Sequence, residues 1–91
     1  MTRAGWELIV ASSVDRTLSR LPEKAAAAVG EFILGPMIEE PRQVGHPLHR
    51  QLEGLWVARR GPYRVVYEIH DQAREVHVLR VDHRADVYRP R

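Results

Sequence analysis

The chain has 91 residues, 44% of them hydrophobic and 29% charged, which is typical of a single globular domain spanning residues 1–91. The absence of cysteine excludes disulfides, thiolate metal sites and a cysteine nucleophile, and no segment resembles a membrane span or a signal peptide, so we expect a cytoplasmic protein without a membrane partner. Residues 1–41 carry a net charge of −2 and residues 42–91 one of +4, and thirteen of the fourteen basic residues are arginines.

The first forty residues predict one strand and two helices. Trp6–Ala11 alternates weakly between apolar and polar residues and predicts a strand. The Ser12-Ser13 pair offers an N-cap to an amphipathic helix that ends before Pro22. A second helix runs from Pro22 to a break or kink at Gly35-Pro36. Its core-facing positions are Val29, Phe32, Ile33 and Met37.

The second half predicts three strands in an antiparallel meander. Residues 42–54 are rich in glycine and proline and are predicted to be irregular. The predicted strands are Leu55–Arg60, Tyr63–His70 and Glu75–Val81, followed by a polar tail over Asp82–Arg91. The order β-α-α-β-β-β predicts an α+β fold in which two N-terminal helices pack on one face of a small antiparallel sheet.

Arginines gather where the first two strands of this meander meet. On Tyr63–His70 the more apolar set of alternating side chains begins at Tyr63, so Arg64 starts on the opposite, open face. Arg59 and Arg60 precede the turn, and one of them must share the face of Arg64 because neighbours on a strand alternate. Each arginine is also consistent with a solvated side chain paired with a carboxylate.

The polar tail adds three residues to this end of the sheet. The last strand returns antiparallel, so His83, Arg84 and Tyr88 follow it toward the end where Arg64 lies. Guanidinium groups bind phosphate through paired hydrogen bonds, and histidine titrates near neutrality. The cluster therefore predicts a phosphodiester ligand. The basic half as a whole fits either a nucleic acid or an acidic protein, or the arginine usage of a GC-rich genome.

Other chemistries find less support in the sequence. Ser12 and Ser13 lie in no nucleophile motif, and there is no phosphate-binding glycine loop. The five histidines lack a supporting acidic ligand pattern, so no metal site is predicted. Trp6 and Trp56 are predicted to pack in the core, with stacking of Trp56 on a base as the alternative.

Several segments together resemble a known family. They are Arg20-Leu21-Pro22, Pro47-Leu48, Leu52–Trp56, Arg59-Arg60-Gly61, Tyr63–Tyr67 and Val81–Arg89. In this order they are similar to the RelE/ParE toxin superfamily, and the first and last of them resemble its actinobacterial RelE branch. The resemblance covers nearly the whole chain, and the run from Arg59 to Tyr67 is its most specific part.

The resemblance implies a RelE-like, microbial RNase-like fold and a toxin of a type II toxin–antitoxin system. RelE-like toxins cleave mRNA in the ribosomal A site without a metal or other cofactor. The RNA 2′-OH attacks the adjacent phosphate and leaves a cyclic 2′,3′-phosphate. The implied partners are the ribosome, mRNA and a cognate RelB- or Phd-like antitoxin, whose acidic and apolar segment would cover the helices and a sheet edge.

The resemblance also implies a role for individual residues. By position, Arg64 holds the phosphate, Arg84 stabilises the transition state, and Tyr88 stacks on or orients the nucleotide. The lysines of well-known RelE members are absent from residues 55–58. Arginine keeps its proton and is a poor base, so His83 is the predicted acid or base, with Tyr88 second. The predicted RNA-binding residues are Arg50, Arg59, Arg60 and Arg89.

Two other functions remain open at this point. ParE-like toxins share the fold and inhibit DNA gyrase by binding, without hydrolytic chemistry. An attenuated member would act mainly by binding its antitoxin and co-repressing the operon. The tail residues His83, Arg84 and Tyr88 favour the ribonuclease, because inhibition of gyrase needs no phosphate-cleaving groups.

Overall fold

The computed structural model, which describes residues 5–48 and 54–83, contains five strands, two α-helices and a π-helical segment within that part of the chain. In chain order these are β1 (Glu7–Val10), α1 (Ser12–Arg20), α2 (Glu23–Phe32), the π-helical segment (Ile33–Met37), β2 (Gly45–Pro47), β3 (Trp56–Arg60), β4 (Tyr63–His70) and β5 (Glu75–His83). The predicted α+β class and the helical pair on one face of a sheet are confirmed. None of the helices in the described residues has the length and apolar character of a membrane span.

The sheet differs from the predicted one in two respects. Its strand order is β1-β5-β4-β3-β2, and β1 pairs parallel with β5, so the sheet is mixed rather than antiparallel. The segment predicted to be irregular contains the short edge strand β2, which pairs antiparallel with β3. Proline is tolerated there because one side of an edge strand needs no ladder hydrogen bond.

The predicted N-cap of the first helix is wrong, and the second helix changes its form near its predicted break. The N-cap of α1 is Ala11, which makes no side-chain capping bond, and Ser13 Oγ instead donates to the carbonyl oxygen of Leu79 at 3.3 Å. That bond ties the helix to β5. Where a break or kink is predicted at Gly35-Pro36, the second α-helix ends at Phe32 and continues as the π-helical segment, which accommodates the missing N–H of proline.

The core lies between the helices and one face of the sheet. The helical side consists of Val14, Val29, Ile33 and Met37, and the sheet side of Ala58, Val65, Tyr67, Val76, Val78 and Val81. Tyr67 is fully buried, and its hydroxyl donates to the carbonyl oxygen of Pro41 at 2.7 Å. Burial raises the pKa of the Tyr67 phenol to about 12. This face of β4 is the predicted core face.

Two features of the meander set the direction of its side chains. Gly61 is the first residue of the two-residue loop between β3 and β4. Its φ is 60°, a backbone conformation that glycine adopts without strain. The register between β4 and β5 shifts between Val66 and Tyr67, where Leu79 has no Cα partner. This bulge lets Val76, Val78 and Val81 all face the core although their spacing breaks the alternation.

Candidate functional site

The sheet face opposite the helices, called the open face below, carries a group of arginines at the end near Gly61. Arg59 and Arg64 are Cα partners across β3 and β4, so the face shared with Arg64 belongs to Arg59 rather than Arg60. Side chains directly opposite each other on a sheet have Cβ atoms about 5 Å apart, and like charges in such a pair are destabilising. An anion bound between the two guanidinium groups would offset this repulsion.

The same end carries a third arginine and a carboxylate that the sequence analysis did not single out. Asp82 is the Cα partner of Arg64 on β5, and Arg80 Nε donates to Asp82 Oδ2 at 2.7 Å. The Arg80 side chain is 65% exposed and that of Asp82 24%. The group of Arg59, Arg64, Arg80 and Asp82, called the arginine group below, therefore has a formal charge of +2. Such a group can hold a phosphate between guanidinium forks.

Two of the predicted site residues lie at this end but on the other face. Arg60 is the Cα partner of Tyr63, and Tyr63 belongs to the helix-facing set of β4. His83 on β5 is the other Cα partner of Tyr63, which lies between it and Arg60 on β3. The His83 ring meets the Tyr63 ring edge-on at a centroid distance of 5.2 Å. The structure thus brings His83 to the end of the sheet that holds Arg64, but on the face turned toward the helices.

The helix-facing side of this end is concave. Arg60 and Tyr63 line a cleft of about 380 Å³ together with Ala25, Ala28 and Val29 of α2 and the Gly61-Pro62 loop. Most of this lining is apolar, and Arg60 is its exposed cation. The end of the sheet therefore presents cations on both faces, with the hairpin loop between them.

The remaining predicted site residues lie outside the described part of the chain. They are Arg50, Arg84, Tyr88 and Arg89. Arg84 directly follows His83, whose strand partner is Tyr63, the neighbour of Arg64. Trp56 is part of the helix-facing packing: its ring centroid lies 6.3 Å from that of Tyr67 and 6.0 Å from the guanidinium carbon of Arg42. This placement agrees with packing and not with stacking of Trp56 on a base at the arginine group.

The other end of the open face holds histidines and carboxylates that sequence reasoning missed. Glu68 is the Cα partner of His77, and His70 that of Glu75, across β4 and β5. The two histidine rings stack with centroids 3.9 Å apart. The acidic residues that accompany the histidines form a Glu-x-His sequence on each strand, at residues 68–70 and 75–77. It becomes a cluster only when the two strands pair.

The chain as a whole is similar to known proteins. The family model described as the ParE toxin of the type II toxin–antitoxin system parDE matches residues 9–88. Toxin RelG of Mycobacterium tuberculosis is 53% identical over 74 residues, which cover 81% of this chain and 85% of the relative. Toxin RelE of the same organism is 44% identical over 84 residues, covering 92% and 87%. The toxin–antitoxin complex RelBE2 of M. tuberculosis contains a chain with a TM-score of 0.85 and 43% identity, covering 89% of this chain and all of that one.

Proposed function

The chain belongs to the family of ParE toxins of type II toxin–antitoxin systems, and from this premise we propose that it is a RelE-like endoribonuclease that cleaves mRNA on the translating ribosome. The observation that carries the proposal is the placement of Arg59 directly opposite Arg64 on the open face. Binding to gyrase does not require two guanidinium groups side by side in this position. A phosphodiester does require them, because its oxygens accept hydrogen bonds from both groups.

The proposed reaction uses the nucleophile that RNA carries. The 2′-OH attacks the adjacent phosphorus, its proton leaves to a base, and the bond to the 5′-oxygen breaks as that oxygen gains a proton from an acid. Negative charge builds on the non-bridging phosphate oxygens during the attack. Arg64, supported by Arg59, holds these oxygens, and Arg84 neutralises the charge of the transition state. None of these steps requires a cofactor.

The proposed proton transfer takes place on the helix-facing side of the sheet, at the end near Gly61. His83 lies there, beside Tyr63, while Arg64 lies on the open face. An RNA strand that passes over the end of the sheet at the Gly61-Pro62 loop contacts both faces. In that path Arg60 binds the backbone on the helix-facing side. Tyr88 orients the nucleotide, and Arg50 and Arg89 add phosphate contacts.

The test is induction of the chain in growing cells, with mapping of cleavage sites in translated messages. Arg64→Ala and Arg84→Ala are each expected to lower cleavage about 10²–10³-fold, the cost of removing one group that stabilises transition-state charge. The control is Arg16→Ala, an exposed arginine on α1 with the same change of charge. Full toxicity in both site variants at normal expression contradicts the proposed site.

The role of His83 has a test of its own. His83→Gln keeps a hydrogen-bonding side chain of similar size and removes the imidazole that the proposal assigns to proton transfer. The variant is expected to bind ribosomes and RNA as the native chain does while cleaving about 10²–10⁴-fold more slowly. Native cleavage by His83→Gln assigns proton transfer to another group, with Tyr88→Phe as the next variant.

A second candidate function follows from the description of the matching family model, which names ParE toxins. The same induction experiment separates the two. Cuts within codons of translated messages support the ribonuclease, whereas intact RNA with a DNA-damage response supports inhibition of gyrase. A chain that leaves both RNA and DNA intact but binds its antitoxin is the attenuated form.

A RelB-like antitoxin is the proposed partner, because the similar M. tuberculosis chain was solved in a toxin–antitoxin complex. The edge strand β1 offers an apolar docking surface, since Ile9 is 40% and Val10 36% exposed. The helical surface adds Leu34, which is 65% exposed. Co-expression of the neighbouring small reading frame is expected to restore growth, and Leu34→Asp to weaken that rescue. If no neighbouring gene restores the growth of cells that express the native chain, this partner is contradicted.

A further inference from the structure

We propose that Glu68, His70 and His77, with Glu75 as a supporting ligand, form a binding site for Zn²⁺ or a similar divalent transition metal on the open face of the sheet. One ligand atom from each of the first three residues lies within 4.8 Å of the other two. Their side chains remain reachable from solvent, at 36% exposure for Glu68, 43% for His70 and 28% for His77. Imidazole nitrogens with carboxylate oxygens are the donor set that zinc takes in open sites.

The hydrogen bonds of the cluster already direct its donor atoms toward one another. His70 Nε2 lies 2.9 Å from Glu68 Oε1, and His77 Nε2 lies 2.8 Å from Glu75 Oε1. Each bond shares a proton between an imidazole nitrogen and a carboxylate oxygen. A metal ion that replaces these protons needs its ligands about 3.3 Å apart for tetrahedral bonds of about 2.0–2.1 Å. Bringing donors up to 4.8 Å apart to that spacing requires a movement of about 1.5 Å, which these partly exposed side chains make by rotation.

The charge around the cluster also fits a dication. Glu7 on β1 is the Cα partner of Glu75, so a third carboxylate lies beside the two that contact the histidines. Carboxylates placed directly opposite each other repel, as like charges do in any cross-strand pair. A bound Zn²⁺ offsets this repulsion. The open face thus carries cations at the Gly61 end and carboxylates at the other end.

The site is separate from the proposed cleavage chemistry. Glu68, the proposed ligand nearest to Arg64 on β4, follows it by four residues, a distance of about 13 Å along a strand. A metal here does not reach a phosphate held by Arg64. Its effect is to join β4 and β5 next to the loop of residues 71–74. The inference therefore does not rest on the proposed ribonuclease activity.

The test is calorimetric titration of the untagged full chain with Zn²⁺, with Co²⁺ as a second probe because its visible absorption reports the ligand geometry. We expect one equivalent to bind with a Kd in the micromolar range and to raise the thermal midpoint. His70→Gln and His77→Gln are each expected to weaken binding at least tenfold. The matched control is His46→Gln, an exposed histidine on the edge strand β2 that lies outside the cluster.

Three outcomes of these titrations contradict the proposed metal site. It is wrong if the native chain binds less than half an equivalent of Zn²⁺ at a millimolar concentration, or if His77→Gln binds as tightly as the native chain. An equal loss in His46→Gln also overturns it, because the metal is then held elsewhere. A misfolded variant is detected by circular dichroism. In that case, Cu²⁺ is added to the native chain and its backbone NMR signals are recorded. Broadening confined to residues 68–77 supports the site, and broadening elsewhere contradicts it.

Discussion

Replacing Arg59 by glutamine is expected to make the protein more stable and less toxic at once. Arg59 and Arg64 are directly opposite on β3 and β4. At a separation of about 7 Å, two unit charges in water repel by about 0.6 kcal/mol, which sets the scale for this pair. Screening leaves about 0.5 kcal/mol at 10 mM salt and almost nothing at 1 M. Glutamine keeps most of the aliphatic stem, so the change removes charge more than packing.

The assay is thermal unfolding at the two salt concentrations. For a domain of this size, 0.5 kcal/mol corresponds to a rise in midpoint of about 2–4 °C, which should be present at low salt and lost at 1 M. Arg60→Gln is the matched control, because it removes the same charge from the next residue of the strand on the other face. A midpoint that falls in low salt, or one that rises equally in both salts, contradicts a repulsion between Arg59 and Arg64. Cleavage of translated messages by Arg59→Gln should fall about tenfold or more.

Three further predictions concern the buried tyrosine and its neighbour. Tyr67→Phe should lower the free energy of unfolding by about 1–3 kcal/mol in urea titrations, because the buried carbonyl oxygen of Pro41 loses its donor. In the native chain the free energy of unfolding, measured by the same titrations, should stay constant up to about pH 10 and then fall toward pH 12. The reason is that the folded phenol keeps its proton to a pKa of about 12, whereas an unfolded tyrosine loses it near 10. Tyr67→Phe should lack this decline. Gly45→Ala should cost about 1–3 kcal/mol, because a Cβ there collides with Tyr67 Oη and the carbonyl oxygen of Val57. A stable Gly45→Ala variant would mean that β2 is not held where the structure places it.

The elements with strong local patterns could be predicted from the sequence. Tyr63–His70 is a strand with the predicted bounds, because its apolar and polar residues alternate throughout. The strand β2 was not predicted because its three residues, which include a glycine and a proline, are too few to show an alternation of apolar and polar side chains. Its formation depends on pairing with β3 and on Gly45 fitting against Tyr67. The parallel pairing of β1 is likewise a contact between distant parts of the chain, which local pattern does not determine.

The candidate site was predictable to the same degree. Alternation placed Arg64 on the open face and required either Arg59 or Arg60 to join it, but only the strand register selects Arg59. The histidine–carboxylate cluster was missed because its members come in two pairs from two strands. Each Glu-x-His sequence is unremarkable alone. Register then places Glu68 against His77 and His70 against Glu75.

The position of His83 shows how one extra residue redirects a site. In an unbroken strand, a core-facing Val78 would place Arg80 in the core and His83 on the open face with Arg64. The bulge at Leu79 reverses the order beyond it, so that Val81 enters the core and Arg80 stays outside with Asp82. Burial of a valine in place of an arginine favours this arrangement energetically. His83 therefore turns to the helix-facing side, and a substrate that needs both His83 and Arg64 has to bind across the end of the sheet rather than along its open face.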